Sequence, residues 1–127
     1  METAHFSIPA SDPLATILES LTEGVMTVDP DFRITAFNRA AEKLSNVQRG
    51  EAFKHDCASV MRTSVCESNC PLRETIRTGE PVVGRQAYMF NADGKRVPVS
   101  LSTALLQDRD GTVIGGVETV RDLSLEE

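Results

Sequence analysis

Cys57, Cys66 and Cys70 are the only cysteines in the 127-residue chain, and all three fall within residues 57–70, with Pro71 directly after the last. Thiolates are nucleophiles, redox centres and soft metal ligands. The spacing Cys-x8-Cys-x3-Cys fits three uses: metal or iron–sulfur ligation, a reversible disulfide or other thiol switch, and burial as small inert hydrophobes. Ligation is the preferred reading, because it gives the crowding of the thiols a chemical reason. Structural zinc and iron–sulfur centres usually take four ligands. Three thiols leave one position for His55, for a carboxylate such as Asp56 or Glu67, for a second protomer, or for an exogenous ligand. Pro71 suits the first position of a helix, which sets Cys70 at a helix N-terminus. There the free N–H groups, together with Arg73, are expected to favour the thiolate.

Other chemistry finds no motif. Ser100 and Ser102 lie in a regular strand pattern without a nucleophile elbow, and there is no Gly-rich phosphate loop, His-Glu-x-x-His or paired-acid motif. No enzymatic turnover is expected. A net charge of −6 with dispersed Lys and Arg argues against a nucleic-acid surface. No apolar run approaches the ~20 residues that span a bilayer. The start Met1-Glu2-Thr3-Ala4-His5 lacks the pattern of a signal peptide. The expected location is cytoplasmic, where closely spaced thiols are more often ligands or redox groups than structural disulfides.

The elements that must position the thiols can be read on either side of them. Residues 1–11 read as a loose arm and residues 12–124 as one domain. Asp12-Pro13 opens a helix whose apolar stripe is Leu14, Ile17, Leu18 and Leu21. Residues 25–28 and 33–37 read as strands joined by the turn Asp29-Pro30-Asp31, and Asn38 caps a further helix through Ala41 and Leu44. From there to about residue 70 periodicity is poor, and short helical pieces are expected. Pro71 begins a helix that Thr78-Gly79-Glu80-Pro81 ends. Extended runs at about 82–90, 96–106 and 112–121 are separated by Asp93-Gly94 and Asp110-Gly111, which predicts a three-stranded meander. Val97, Val99, Leu101, Thr103 and Leu105 form one face of its middle strand. Two strands alone are marginal, so the first hairpin must join the meander. The expected fold class is α+β, a five-stranded antiparallel sheet with helices on one face and an N-terminal amphipathic helix.

In order and spacing, the segments Gly24-Val25-Met26-Thr27-Val28-Asp29, Ile34 to Ala41, Thr78-Gly79-Glu80-Pro81-Val82, Asn91-Ala92-Asp93-Gly94-Lys95 and Arg121-Asp122-Leu123-Ser124 resemble a PAS sensor domain over roughly residues 14–124. The cysteine pattern with Pro71-Leu72 resembles one in PAS modules of bacterial enhancer-binding transcriptional regulators and sensor histidine kinases. The resemblance implies a pocket between sheet and helices. It also implies signal output through Asp122 and Ser124, where the sheet meets a linker to an output domain. Residues 125–127 would begin that linker, as in an excised sensor module or one whose output partner is a separate protein.

The resemblance raises two further cofactors. Haem is not expected, because no Cys-x2-Cys-His attachment sequence exists. Flavin is suggested by Asn69-Cys70, but Ser68 and Pro71-Leu72-Arg73-Glu74 depart from the light-sensing signature. Cys66-x3-Cys70-Pro71 is similar to the end of the bacterial ferredoxin ligand run, without its two preceding Cys-x2 spacings. The expected function is a sensory module of a bacterial signalling or transcription system, including two-component systems. It would read redox state or a ligand through an iron–sulfur, zinc or iron centre on Cys57, Cys66, Cys70 and His55, and form a homodimer through Leu14, Ile17, Leu18 and Leu21. The alternatives are a ligand-free dimerisation module with inert thiols and a pocket for a small organic molecule.

Overall fold

A computed structural model describes residues 13–66 and 68–124 of the chain. The expected arm, the Asp12 cap, Glu67, the start of the linker at 125–127 and the side chains of residues 13–15, Leu14 among them, lie outside the described residues.

Six antiparallel strands form one sheet in the order β2-β1-β6-β5-β4-β3: β1 (Gly24–Val28), β2 (Ile34–Phe37), β3 (Arg62–Thr63), β4 (Val82–Phe90), β5 (Arg96–Gln107) and β6 (Val113–Asp122). The first hairpin joins the meander through β1 and β6, with Met26 opposite Glu118 and Val28 opposite Gly116. The expected five strands become six because Arg62 and Thr63 pair with Phe90 and Met89 at the sheet edge. A two-residue strand is too short to show a period of two, so only its long-range pairing reveals it.

The helices are α1 (Pro13–Ser20), α2 (Arg39–Ser45), α3 (Arg49–Ala52), α4 (Cys57–Val60) and α5 (Pro71–Thr78). The inner sides of α2, α3, α4 and α5 meet one face of the sheet in a core that includes Met26, Val28, Ile34, Phe37, Leu72, Met89, Leu101 and Val120. Burying each such side chain contributes about 1.5–3 kcal/mol. On β5 the expected face is buried at Val97, Val99, Leu101 and Thr103, whereas Leu105 is half-buried. The other face of the sheet keeps Val83, Tyr88 and Phe90 exposed.

Two local features hold the frame. Asn38 is buried, and its amide oxygen accepts from Val25 N–H at 2.8 Å and Ala41 N–H at 2.9 Å. Its amide nitrogen donates to the carbonyls of Leu18 at 3.0 Å and Glu23 at 3.1 Å, so one side chain ties α1, β1 and α2 together. Gly115 has φ 148°, and a Cβ there would overlap the Val28 carbonyl oxygen. This is the close approach that Gly115-Gly116 signals within the last strand. Among the described residues no helix is long and apolar enough to cross a membrane.

Candidate functional site

Each cysteine is positioned by a different local device. Cys57 opens α4, and its N–H donates to the Phe32 carbonyl at 2.9 Å, which ties the segment to the turn between β1 and β2. Cys66 lies in the turn after β3. Its Sγ accepts from the Thr63 N–H at 3.3 Å, meets the Thr63 hydroxyl at 3.2 Å and donates to the Met61 carbonyl at 3.6 Å. Cys70 is the N-cap of α5, with Pro71 at the first helical position as the sequence predicts, and Gly79 ends that helix at φ 80°. The Arg85 guanidinium donates to the Asn69 carbonyl at 3.1 Å and pairs with Glu74 at 3.0 Å, which pins the loop bearing Cys66 and Cys70 against β4.

All three thiols are free and half-buried, and they lie within electrostatic reach of one another. Burial pushes the Cys57 thiol up to about 12, and the Glu118 carboxyl, Cys70, Asp56 and Cys66 push the same way. Burial also raises the Cys70 pKa. The N–H groups of Arg73 and Leu72 oppose it, as expected at a helix N-terminus, but desolvation and the nearby Glu118 outweigh them. The expected thiolate preference at Cys70 is therefore overturned: in the metal-free fold it is a thiol with a raised pKa. Arg73 does not offset this, since its guanidinium stacks over the Phe32 ring at 4.4 Å.

Sequence reasoning missed Glu118. It lies on the inner face of β6, is only 5% exposed, and has no side-chain hydrogen bond or ion pair among the described residues. Burial pushes its pKa up to about 7. The available signal was its phase, because Glu118 shares strand parity with Gly116 and Val120, both buried.

The expected fourth ligand is placed differently. His55 is exposed, and its backbone serves the sheet edge by accepting from Ile34 N–H at 2.9 Å. Asp56 is also exposed, as the residue preceding α4. Among the described residues, no three His, Cys, Asp or Glu side chains form a ready-made metal-ion cage. Two clefts meet at Cys66. One of about 550 Å³ is lined by Phe32, Cys66, Cys70, Arg73 and Ile76, and one of about 660 Å³ by Ala58, Arg62, Thr63, Cys66 and Arg73. Thus Cys66 borders space open to small molecules, whereas Cys57 packs against the core.

At the exit, Leu123 N–H donates to the Pro98 carbonyl at 2.9 Å, and the Asp122 carboxylate accepts from the Ser124 N–H at 2.8 Å. These bonds turn the chain as it leaves β6. At the other end, Ile17 on α1 is 56% exposed, Leu21 just after it is 43% exposed, and Leu18 is half-buried.

The fold is similar to solved structures that share little sequence with it. A PAS domain from Colwellia psychrerythraea has a TM-score of 0.73 at 13% identity, covering 86% of this chain and 92% of that one. The PAS domain of nitrogen regulation protein NR(II) from Vibrio parahaemolyticus has a TM-score of 0.72 at 14% identity, covering 87% and 99%. A light-oxygen-voltage domain studied with a flavin analogue has a TM-score of 0.73 at 18% identity, covering 91% and 88%. The comparison with curated proteins found no match. The family model described as PAS domain matches residues 22–124, from just before β1 to the Asp122–Ser124 turn. With that match spanning the sheet, the cysteine segment and the exit, the chain belongs to the PAS domain family.

Proposed function

We propose that this PAS domain is a sensory module without turnover of its own, and that Cys57, Cys66 and Cys70 are its input, as ligands of a metal or iron–sulfur centre that controls an attached output domain. The observation that carries the reading is that three free, half-buried thiols, Cys57 at the start of α4 and Cys66 and Cys70 on the loop before α5, lie within electrostatic reach of one another. Ligation would draw the thiols together through χ1 rotation, each releasing its proton to solvent. Loading or loss of the centre would then alter how α4 and α5 pack on β5 and β6, and so bias the exit at Asp122 and Ser124. The exposed Ile17 and Leu21 support a homodimer through α1.

A second reading has its own support: the raised pKa values of Cys57 and Cys70 also suit inert buried thiols in a ligand-free dimerisation module. Anaerobic purification, followed by an absorption spectrum, iron, sulfide and zinc analysis and thiol titration, separates the two. Charge-transfer bands with iron and sulfide, or stoichiometric zinc, support the centre. Metal-free protein with three unreactive thiols supports the second reading.

A further inference from the structure

Three arginines converge on the two clefts that meet at Cys66, although the chain as a whole carries a net charge of −6. Arg73 and Cys66 border both clefts, Arg77 borders the first and Arg62 the second. Among the described residues, the one acid on their walls is Glu74, and it is already paired with Arg85 at 3.0 Å. The three arginines have no such partner. The Arg73 guanidinium stacks over the Phe32 ring at 4.4 Å, Arg62 donates to the Asn91 carbonyl at 3.1 Å, and neither they nor Arg77 forms an ion pair among the described residues. A stack on an aromatic face fixes the plane of a guanidinium and leaves the N–H groups at its edge free to donate. In a chain with 19 Asp and Glu against 13 Lys and Arg, three guanidinium groups without a carboxylate around one groove are the composition of an anion site. The second cleft adds a hydroxyl: Ser64 Oγ accepts from the Tyr88 N–H at 3.0 Å and keeps its own proton to give. None of the described lining residues lies on β1, β2, β4, β5 or β6, so this groove is distinct from a pocket between sheet and helices.

We propose that the two clefts together bind one small organic dianion, with one carboxylate or phosphate group held by Arg73 and Arg77 and the other by Arg73 and Arg62. Each cleft has an arginine of its own and the two share Arg73, which matches a ligand with an acidic group at either end. Guanidinium groups take carboxylate and phosphate oxygens in pairs, so both head groups suit the same donors. Phe32 and Ile76 give the first cleft an apolar wall for the carbon skeleton between them. At about 550 and 660 Å³, the clefts have the size of small-molecule sites. Such a ligand bridges Arg62 on β3 to Arg73 and Arg77 on α5, and it lies beside the Cys66 thiol on the loop between those elements. It therefore holds β3 and α5 in one arrangement, a second input to the domain that does not depend on the cysteines holding a metal.

The test titrates the 127-residue chain as purified, at constant ionic strength, with succinate and citrate in one arm and pyrophosphate and glycerol phosphate in the other, read by calorimetry and thermal shift. Acetate and chloride are the controls for charge alone. Saturable binding of one molecule per chain is expected in at least one arm, with a gain in thermal stability, and the arm that binds more tightly identifies the head group. Arg73→Gln should weaken binding at least about tenfold, with Arg62→Gln and Arg77→Gln weakening it in the same direction; all three arginines are exposed, and unchanged circular dichroism verifies each fold. Arg109→Gln, in the turn between β5 and β6, should bind like wild type. In reduced, metal-free protein the bound anion should slow alkylation of Cys66 by neutral iodoacetamide about fivefold or more while leaving Cys57 unchanged. Absence of saturable binding up to about 10 mM in both arms, an equal response to acetate, or wild-type affinity in both Arg73→Gln and Arg62→Gln would overturn the site. Each of those results leaves the cysteine reading standing, since metal content is measured separately.

Discussion

Cys57 keeps its proton well beyond neutral pH because burial and the Glu118 carboxyl both oppose the thiolate, whereas Cys66 borders both clefts. In metal-free protein at neutral pH, peptide-resolved alkylation should therefore label Cys66 first and Cys57 last, by about tenfold or more in rate. Labelling of Cys57 first would contradict the burial described. Asn38 supports a second residue-scale expectation. Removing its amide leaves the N–H groups of Val25 and Ala41 and the carbonyls of Leu18 and Glu23 without their partner. Asn38→Ala should cost about 2 kcal/mol, read as a lower urea midpoint at unchanged slope; a loss under about 0.5 kcal/mol would refute the tie. The sequence makes Asn38 legible as a cap, since Asn before a helical pattern has a local meaning. Its bonds back to α1 are long-range and were not legible. Glu118 was not legible either, because a glutamate between Val117 and Thr119 looks like the open side of a strand until the helices cover that face.

At the scale of elements, strong local chemistry predicted the structure well. Pro71 and Gly79 bound α5, and Asp93-Gly94 and Asp110-Gly111 separate the last three strands. The register between β1 and β6 has no such local sign, yet it decides that Gly115 meets the Val28 carbonyl. Gly115→Ala should destabilise the domain by about 2–3 kcal/mol in thermal denaturation; a neutral outcome would show that the strands part there without cost. The mooring of α1 is electrostatic as well as hydrogen-bonded. Arg49 pairs with Glu19 at 3.0 Å and with Glu42 at 3.3 Å. The guanidinium bond holds the Glu19 carboxyl below its usual range. A lowered carboxylate pKa contributes stability that is present at neutral pH and lost as the pH falls through the carboxylate range. Residues 16–20 should therefore lose their folded NMR shifts in Arg49→Ala at neutral pH, and in the wild type below about pH 4, before the sheet does. Loss of both together would contradict a separate mooring.

For the molecule as a whole, the PAS fold sets the proposed input, the cysteines of the helical wall, and the proposed output, Asp122 and Ser124 at the end of β6, within one domain. If α1 forms the proposed dimer, Ile17→Asp should halve the mass measured by light scattering, with the fold intact; an unchanged mass would exclude α1 as the interface. The sequence made the family legible through the order of several modest motifs. It could not show the burial of the cysteines, which depends on α4 and the loop before α5 packing against the core. The central claim is that these thiols hold a metal centre. Native mass spectrometry of anaerobically purified protein tests it most directly. The account predicts an added mass of zinc or of an iron–sulfur cluster on each folded wild-type chain, absent from the chain with all three cysteines changed to serine. A wild-type chain that has only its polypeptide mass, even after anaerobic loading with zinc or with iron and sulfide, would contradict it.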